Sequence, residues 1–149
     1  MKKKRDNIIE FSSYSSSETE SIARQIGSSL KPGSVVALIG NLGAGKTTFV
    51  RGLAQAIGIR EEGVVSSPTF SYLNIYHGSL TLFHLDLYRL SSEEAFLESG
   101  FAEYFSLGGI SCVEWPDIAL NFLPKNTLFI ELAASRFEEI RTIHVRENL

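Results

Sequence analysis

Apolar residues along the chain fall into short continuous runs, which alternate with helical patterns. The run "SVVALIG" (34–40) ends at a glycine and is typical of a strand buried on both faces of a sheet. "NIIEF" (7–11) predicts an earlier strand. Three later strands are predicted at "GISCVEW", "TLFIELA" and "EIRTIHV". "SYLNIY" and "LTLFHLDLY", joined at "HGS", predict a β-hairpin.

Helical periodicity appears in three segments between these runs. In the first, about 18–30, Ser17 and Glu20 fit a capping box, and apolar residues recur every four positions at Ile22, Ile26 and Leu30. The second, "KTTFVRGLAQAIG", carries one apolar face and ends at Gly58. "SSEEAFLESG" (91–100) predicts a short capped helix. Strands flanked by helices, with added antiparallel pieces, predict a three-layer α/β domain spanning residues 1–149.

Composition and charge narrow the class of protein. No run approaches the eighteen apolar residues of a membrane span, and no apolar signal segment follows "MKKKR", so a cytoplasmic location is expected. Four of the 14 basic residues lie at positions 2–5, in what we interpret as a flexible basic tail, residues 1–6. The rest of the chain is acidic, which does not favour direct DNA or RNA binding. The single cysteine, Cys112, is interpreted as a buried structural thiol.

The segment "GNLGAGKTT" (residues 40–48, the glycine loop) satisfies the pattern G-x-x-x-x-G-K-[ST] between a predicted strand and a predicted helix. Glycines let backbone N–H groups surround phosphate oxygens, and the helix N-terminus favours an anion. Lys46 is predicted to reach the β- and γ-phosphates, and the Thr47 hydroxyl to bind Mg²⁺. The loop therefore predicts a P-loop nucleotide-binding fold, with contacts from Asn41, Leu42, Gly43, Ala44, Gly45, Lys46, Thr47 and Thr48.

An acid at a strand end is needed to complete the metal site of such an enzyme. Asp86 ends the run "LTLFHLD" and Glu114 ends "GISCVE", and the pattern alone does not rank them. In "SSPTF", Pro68 restricts the preceding residue to extended geometry and displays Thr69 on a stiff turn. Such a threonine can contact a γ-phosphate or its metal, although an ordinary β-turn is the alternative.

Four motifs occur in order: "GNLGAGKTTF", "SSPTF", "HLDLYRL" and "VEWPD". Together they resemble the bacterial TsaE (YjeE) family, over roughly residues 15–137. Many families share the first motif, whereas the ordered set with "EWP" is specific. The resemblance implies a small ATPase that uses ATP and Mg²⁺ in making threonylcarbamoyladenosine in tRNAs that read codons starting with adenine. It also implies TsaD and TsaB as protein partners, with tRNA contacted only indirectly.

The resemblance also implies roles for single residues. Thr69 belongs to a switch-like element near the γ-phosphate, and Asp86 is an acid needed at the metal site, directly or through water. Glu114 takes the Walker-B-like place, as Mg²⁺ ligand or general base. Trp115 is an aromatic residue next to the site. Lys46, Glu114, Asp86 and Thr69 are thus the candidate catalytic residues, and Thr47, Glu114 and Asp86 are the candidate metal ligands.

The weaker parts of the resemblance imply that Ser16 and Arg136 lie by the adenine end. For His84 and Arg89 the sequence does not decide between a functional role and a structural one, namely packing or a surface ion pair. The family usually has an acid after the first loop glycine, where this chain has Asn41. Because backbone groups carry most of the phosphate contacts, nucleotide binding is expected to survive this difference.

Three other functions fit the glycine loop. A small-molecule kinase needs an arginine-bearing lid, but between Thr47 and Glu114 the arginines are only Arg51, Arg60 and Arg89. A GTPase would call for N-K-x-D, and no such string occurs. A nucleotide-dependent scaffold without catalysis is disfavoured by the complete set of lysine, threonine and acid. The sequence therefore favours an ATPase that serves a protein assembly.

Overall fold

The computed structural model describes residues 7–60, 65–136 and 140–147, so the predicted basic tail lies outside the described residues. Within those ranges seven strands form one sheet in the order β1-β7-β6-β2-β5-β4-β3. The strands are β1 (Ile9–Ser13), β2 (Val35–Ile39), β3 (Leu73–His77), β4 (Thr81–Asp86), β5 (Ile110–Glu114), β6 (Leu128–Ala134) and β7 (Arg141–Arg146).

The centre of the sheet is parallel and its outer strands are antiparallel. Strand β2 pairs in parallel with β5 on one side and β6 on the other, and β5 pairs in parallel with β4. The hairpin β3–β4 and the pairs β6–β7 and β1–β7 are antiparallel. The apolar run that ends at Gly40 does form the central strand, and Val35 to Leu38 are at most 1% exposed.

Helices cover both faces of the sheet, as the pattern predicts. Helices α1 (Ser16–Gly27) and α2 (Lys46–Ala56) pack on the face that carries Val36 and Leu38. The opposite face packs α3 (Glu93–Ser99) and two 3-10 helices, Phe101–Ser106 and Pro116–Phe122, against residues that include Val35 and Val113. The three-layer α/β prediction is therefore confirmed. No helix in the described part of the chain is long and apolar enough to cross a membrane.

Several boundaries differ from the sequence prediction, among them those of β1 and α1. Strand β1 starts two residues later than the predicted 7–11 segment. The N-cap of α1 is Ser15 rather than Ser17, because the Ser15 hydroxyl accepts the Glu18 N–H at 3.1 Å. The Glu18 carboxylate accepts the N–H of Tyr14, the residue before the cap, at 2.7 Å, which is a variant of the capping box. The capping box is thus present two residues earlier than predicted, and α1 ends at Gly27 rather than near residue 30.

Helices α1 and α2 approach each other closely at Gly52. A β-carbon built on Gly52 would lie 2.4 Å from the Glu20 carbonyl oxygen and 2.6 Å from the Ala23 β-carbon. Contacts this short require one helix to move, so the glycine sets the distance between the two helices. This packing fixes α2, and α2 begins at the glycine loop.

We expect Gly52→Ala to lower the free energy of unfolding by roughly 1–3 kcal/mol, the usual effect of overpacking a core. Helix propensity alone would act in the opposite direction, by up to about 1 kcal/mol in favour of alanine. The exposed α1 residue Ser21 supplies the matched control, since Ser21→Ala changes propensity without a clash. Urea denaturation of both variants measures the difference, and equal stabilities would contradict the close-contact interpretation.

Candidate functional site

The glycine loop joins the end of β2 to the start of α2. Gly45 is the N-cap of α2 and has a φ of +100°, a conformation that side chains disfavour. No side chain caps this helix, so the N–H groups of its first turn point outward together with the positive end of the helix dipole. The helix start is therefore suited to an anion such as a phosphate group.

Lys46, the first residue of α2, is largely buried at the mouth of this loop. Its Nζ donates to the Gly40 carbonyl at 2.6 Å and lies 3.6 Å from the centroid of the Trp115 ring. Burial lowers the pKa of the Lys46 ammonium below its usual value, while the negative charges of Glu114, Asp86 and Asp117 act in the opposite direction. The side chain is thus held against the loop, with its charge facing acidic groups.

Trp115 has an unusual backbone conformation for a bulky residue. Its φ of +53° lies in the left-handed region, which costs of order 1–3 kcal/mol and persists only where the surrounding structure enforces it. The Tyr88 ring packs at 4.9 Å between centroids, and Pro116 opens a 3-10 helix directly afterwards. The chain therefore turns sharply after Glu114 and places the indole beside Lys46.

The two candidate acids lie side by side at the carboxyl ends of neighbouring strands. Asp86 and Glu114 are partners in the β4–β5 register, and each is 2% exposed. Glu114 is also the register partner of Leu38 in β2, whereas β4 does not pair with β2. Glu114 is therefore on the strand next to the glycine loop, and Asp86 is one strand further away.

Asp86 anchors the "SSPTF" segment. Its Oδ2 accepts hydrogen bonds from the Ser67 hydroxyl at 2.9 Å and the Thr69 hydroxyl at 3.1 Å. Its Oδ1 accepts the Tyr88 N–H at 2.9 Å. Both oxygens of this carboxylate are thus engaged, and Thr69 is brought to the edge of the sheet by Asp86.

Glu114 has a different partner. Its Oε2 lies 2.5 Å from Nε2 of His84, a residue of β4 that is 0% exposed. The sequence left His84 open between packing and function, and the structure brings it into contact with a candidate catalytic acid. Arg89, the other open residue, lies 5.0 Å from the centroid of the Phe70 ring.

These residues line one cleft of about 850 Å³. The predicted residues along it are Ser16, Leu42, Gly43, Gly45, Lys46, Thr47, Thr48, Thr69, Asp86, Glu114 and Trp115. Asn41 and Ala44 line a second cavity of about 350 Å³ on the other side of the loop. Arg136 is exposed and lines neither cavity.

Sequence reasoning missed several residues of the cleft, namely Tyr14, Ser15, Thr19, Ser67, Tyr88 and Arg141. Arg141 opens β7, and its guanidinium donates to the Gly43 carbonyl at 3.3 Å. It pairs in register with Ser13 of β1, which brings it to the start of α1. Only the long-range pairing of β1 with β7 reveals this position, so no local pattern could have selected Arg141 over Arg136.

The oxygen groups of the cleft suit a hard cation shared with a phosphate. In the described ranges, no three His, Cys, Asp or Glu side chains cluster so that they could hold a metal by themselves. Mg²⁺ is usually bound by one or two carboxylates together with substrate phosphates. Thr47, Glu114 and Asp86 line the same cleft and offer donors of this kind.

The amino-acid sequence of the chain is similar to those of known proteins of one family. The family model described as "Threonylcarbamoyl adenosine biosynthesis protein TsaE" matches residues 13–143. A TsaE protein of Treponema pallidum is 45% identical over 120 residues, which cover 80% of this chain and 87% of that protein. One of Bacillus subtilis is 41% identical over 123 residues, covering 82% and 75%.

The fold is also shared with a solved structure. The crystal structure of Bacillus subtilis YdiB superposes with a TM-score of 0.81 at 31% sequence identity, covering 98% of this chain and 90% of that one. The family model matches most of the chain, and the curated relatives are similar to it in sequence over most of its length. Both findings identify the same family. The chain belongs to the TsaE family, whose members take part in the biosynthesis of threonylcarbamoyladenosine in tRNA.

Proposed function

We propose that the chain binds ATP with Mg²⁺ in the 850 Å³ cleft and hydrolyses it to support the threonylcarbamoyladenosine pathway of its family. One observation carries the proposal: Lys46, Thr47 and Glu114 line a single cleft at the uncapped start of α2. This combination supplies phosphate contacts, a metal-binding hydroxyl and an acid within one site.

In this proposal the N–H groups of the glycine loop and of α2 bind the phosphates. Lys46 leaves the Gly40 carbonyl to bind the β- and γ-phosphates. Thr47 and Glu114 would hold Mg²⁺, directly or through water, and the ion would supply positive charge to the phosphate oxygens. Glu114 would alternatively act as the general base that accepts a proton from the attacking water. Asp86 acts one strand further away, where it positions Thr69.

The base of the nucleotide is proposed to lie toward the start of α1, where Ser16 lines the cleft. Arg141 is better placed than Arg136 to contact a nucleotide there, since it lines the cleft and Arg136 does not. The difference at Asn41 is compatible with binding, because its side chain lies outside the residues that line this cleft.

Hydrolysis is favoured over phosphoryl transfer to a metabolite. A kinase needs a lid with arginines that shields the phosphoryl group from water. Arg141 is the one arginine lining the cleft among the described residues, and it contacts the glycine loop. The family to which the chain belongs acts in tRNA modification, which also favours an ATPase that serves an assembly.

By its family we propose TsaD and TsaB as partners in the cytoplasm, with ATP turnover resetting the complex between modification cycles. The acidic chain would dock on proteins that themselves handle tRNA, without binding nucleic acid directly. No contact with a membrane or with DNA is proposed.

Replacing Lys46 tests nucleotide binding. We expect Lys46→Ala to weaken ATP binding at least about tenfold, because hydrogen bonds to charged groups contribute roughly 1.5–3 kcal/mol. ATP-dependent support of tRNA modification in a reconstituted assay should be lost with it. Lys125→Ala, at an exposed lysine, is the matched control. Wild-type ATP affinity in Lys46→Ala, measured by calorimetry, would contradict the assignment.

Replacing Glu114 separates binding from hydrolysis. The Glu114→Gln side chain keeps an oxygen that accepts from His84 but loses its charge and basicity. We expect ATP binding to be retained and turnover to fall about 100-fold or more, the usual contribution of general acid–base catalysis. Glu131→Gln is the control, since Glu131 lies on the other neighbour of β2 and is ion-paired to Arg146 at 2.8 Å. Normal turnover in Glu114→Gln would indicate Asp86 or another group as the essential acid.

The role in an assembly predicts slow ATP turnover by the chain alone and faster turnover with TsaD and TsaB. The ATPase rate measured with and without the partner complex checks this. A rate that the partners leave unchanged would favour a nucleotide-dependent scaffold. Rapid phosphorylation of a compound in a metabolite screen would instead favour a kinase.

A further inference from the structure

We propose that His84 is a positioning residue that holds the Glu114 carboxylate in one orientation, with Oε2 toward the core and Oε1 toward the cleft. The inference rests on the proposed function, because it specifies how one acid of that site is presented. Glu114 lines the cleft and is 2% exposed, and His84 lies entirely behind it.

The hydrogen bond has a defined direction. Nε2 of His84 lies 2.5 Å from Oε2 of Glu114, and Nδ1 is buried without a hydrogen-bond partner. If Nδ1 carried the only ring hydrogen, an N–H donor would be buried unpaired and the Nε2 lone pair would face a carboxylate oxygen. With the hydrogen on Nε2, the imidazole donates to Glu114 and leaves only an acceptor unpaired.

Packing does not account for a histidine at this position. Its neighbours on the same face of the sheet are Leu82 and Asp86 in β4, Cys112 opposite it in β5 and Asn74 opposite it in β3. The described hydrogen bonds of His84 include none to Asn74 or Asp86. An apolar side chain would fill the same space without an orphaned nitrogen, and a buried unpaired polar atom is unfavourable. A buried polar residue where an apolar side chain would pack as well is a feature expected at functional sites.

The consequence for the site is a difference between its two acids. Both oxygens of Asp86 accept hydrogen bonds, from Tyr88 on one side and from Ser67 and Thr69 on the other. The Glu114 carboxylate is bonded through Oε2 alone among the described contacts. Because His84 occupies Oε2, Glu114 presents one oxygen to the cleft, as a ligand of a metal or of its water.

The test compares two variants of His84 whose side-chain amides differ in length. In His84→Gln the side-chain N–H₂ extends to about the place of Nε2, whereas in His84→Asn it falls short of Glu114. We expect His84→Asn to lower kcat for ATP about 10- to 100-fold, the usual effect of removing a group that orients a metal ligand, with KM for ATP nearly unchanged. His84→Gln should recover most of the lost kcat.

Cys112→Ala controls for disturbance of the core, since it removes volume opposite His84 in the register and leaves the Glu114 contact intact. Equal kcat in wild type and His84→Asn would overturn the proposal. Equal losses in the Asn and Gln variants would also overturn it, because they indicate a structural role. Normal turnover in Glu114→Gln would overturn the proposal as well, because Glu114 would then not be the essential acid. Failure of the wild-type chain to hydrolyse ATP with its partner complex would instead count against the proposed function itself.

A readout independent of turnover is the long-range ¹H–¹⁵N NMR spectrum of the imidazoles in the chain without nucleotide. The chain has three histidines, which makes the His84 signals assignable. We expect the ¹⁵N shifts of a ring protonated at Nε2 and bare at Nδ1, with the Nε2 shift changed in Glu114→Gln. A ring that carries its hydrogen on Nδ1 alone would overturn the proposal.

Discussion

The parallel pairing of β2 with β5, and of β5 with β4, is the constraint on which the site depends. Parallel strands end at the same edge of a sheet, so the glycine loop after β2 and the acids that end β5 and β4 must meet there. The register aligns Glu114 with Leu38 and with Asp86. The strand pairing alone thus brings Glu114, Asp86 and the glycine loop to one cleft, although they are far apart in the sequence.

The packing behind the loop keeps this edge rigid. Helix α2 buries Phe49, Val50 and Leu53 completely, and α1 packs closely against it at Gly52. A β-carbon on Gly40 would lie 2.7 Å from the Leu132 carbonyl oxygen, so the first glycine of the loop is also needed for packing against β6. The residues that suit a phosphate are therefore fixed by the same contacts that stabilise the sheet, which limits how far the loop can move.

Local patterns in the sequence predicted the strands, the helices and the glycine loop, because hydrophobic period and glycine placement act over a few residues. They missed the two 3-10 helices, which are too short to show a period. The N-cap was misplaced by two residues because Ser15 and Ser17 are each followed by a glutamate three positions later and satisfy the capping rule equally well. Strand order is a long-range property, so the sequence could neither rank Glu114 against Asp86 nor find Arg141 in the cleft.

Once the strand order is known, the two acids differ in what they can do. Glu114 is next to the loop strand and has an oxygen directed to the cleft, which suits direct contact with a cation or its water. Asp86 accepts two hydrogen bonds at Oδ2 and one at Oδ1, so a cation binds either at the remaining lone pair of Oδ1 or at Oδ2 by releasing the hydroxyl of Ser67 or Thr69. Under the proposed function, cation binding through Oδ2 of Asp86 and the position of Thr69 are therefore mutually dependent. This coupling would make the "SSPTF" segment responsive to the state of the nucleotide, as a switch requires.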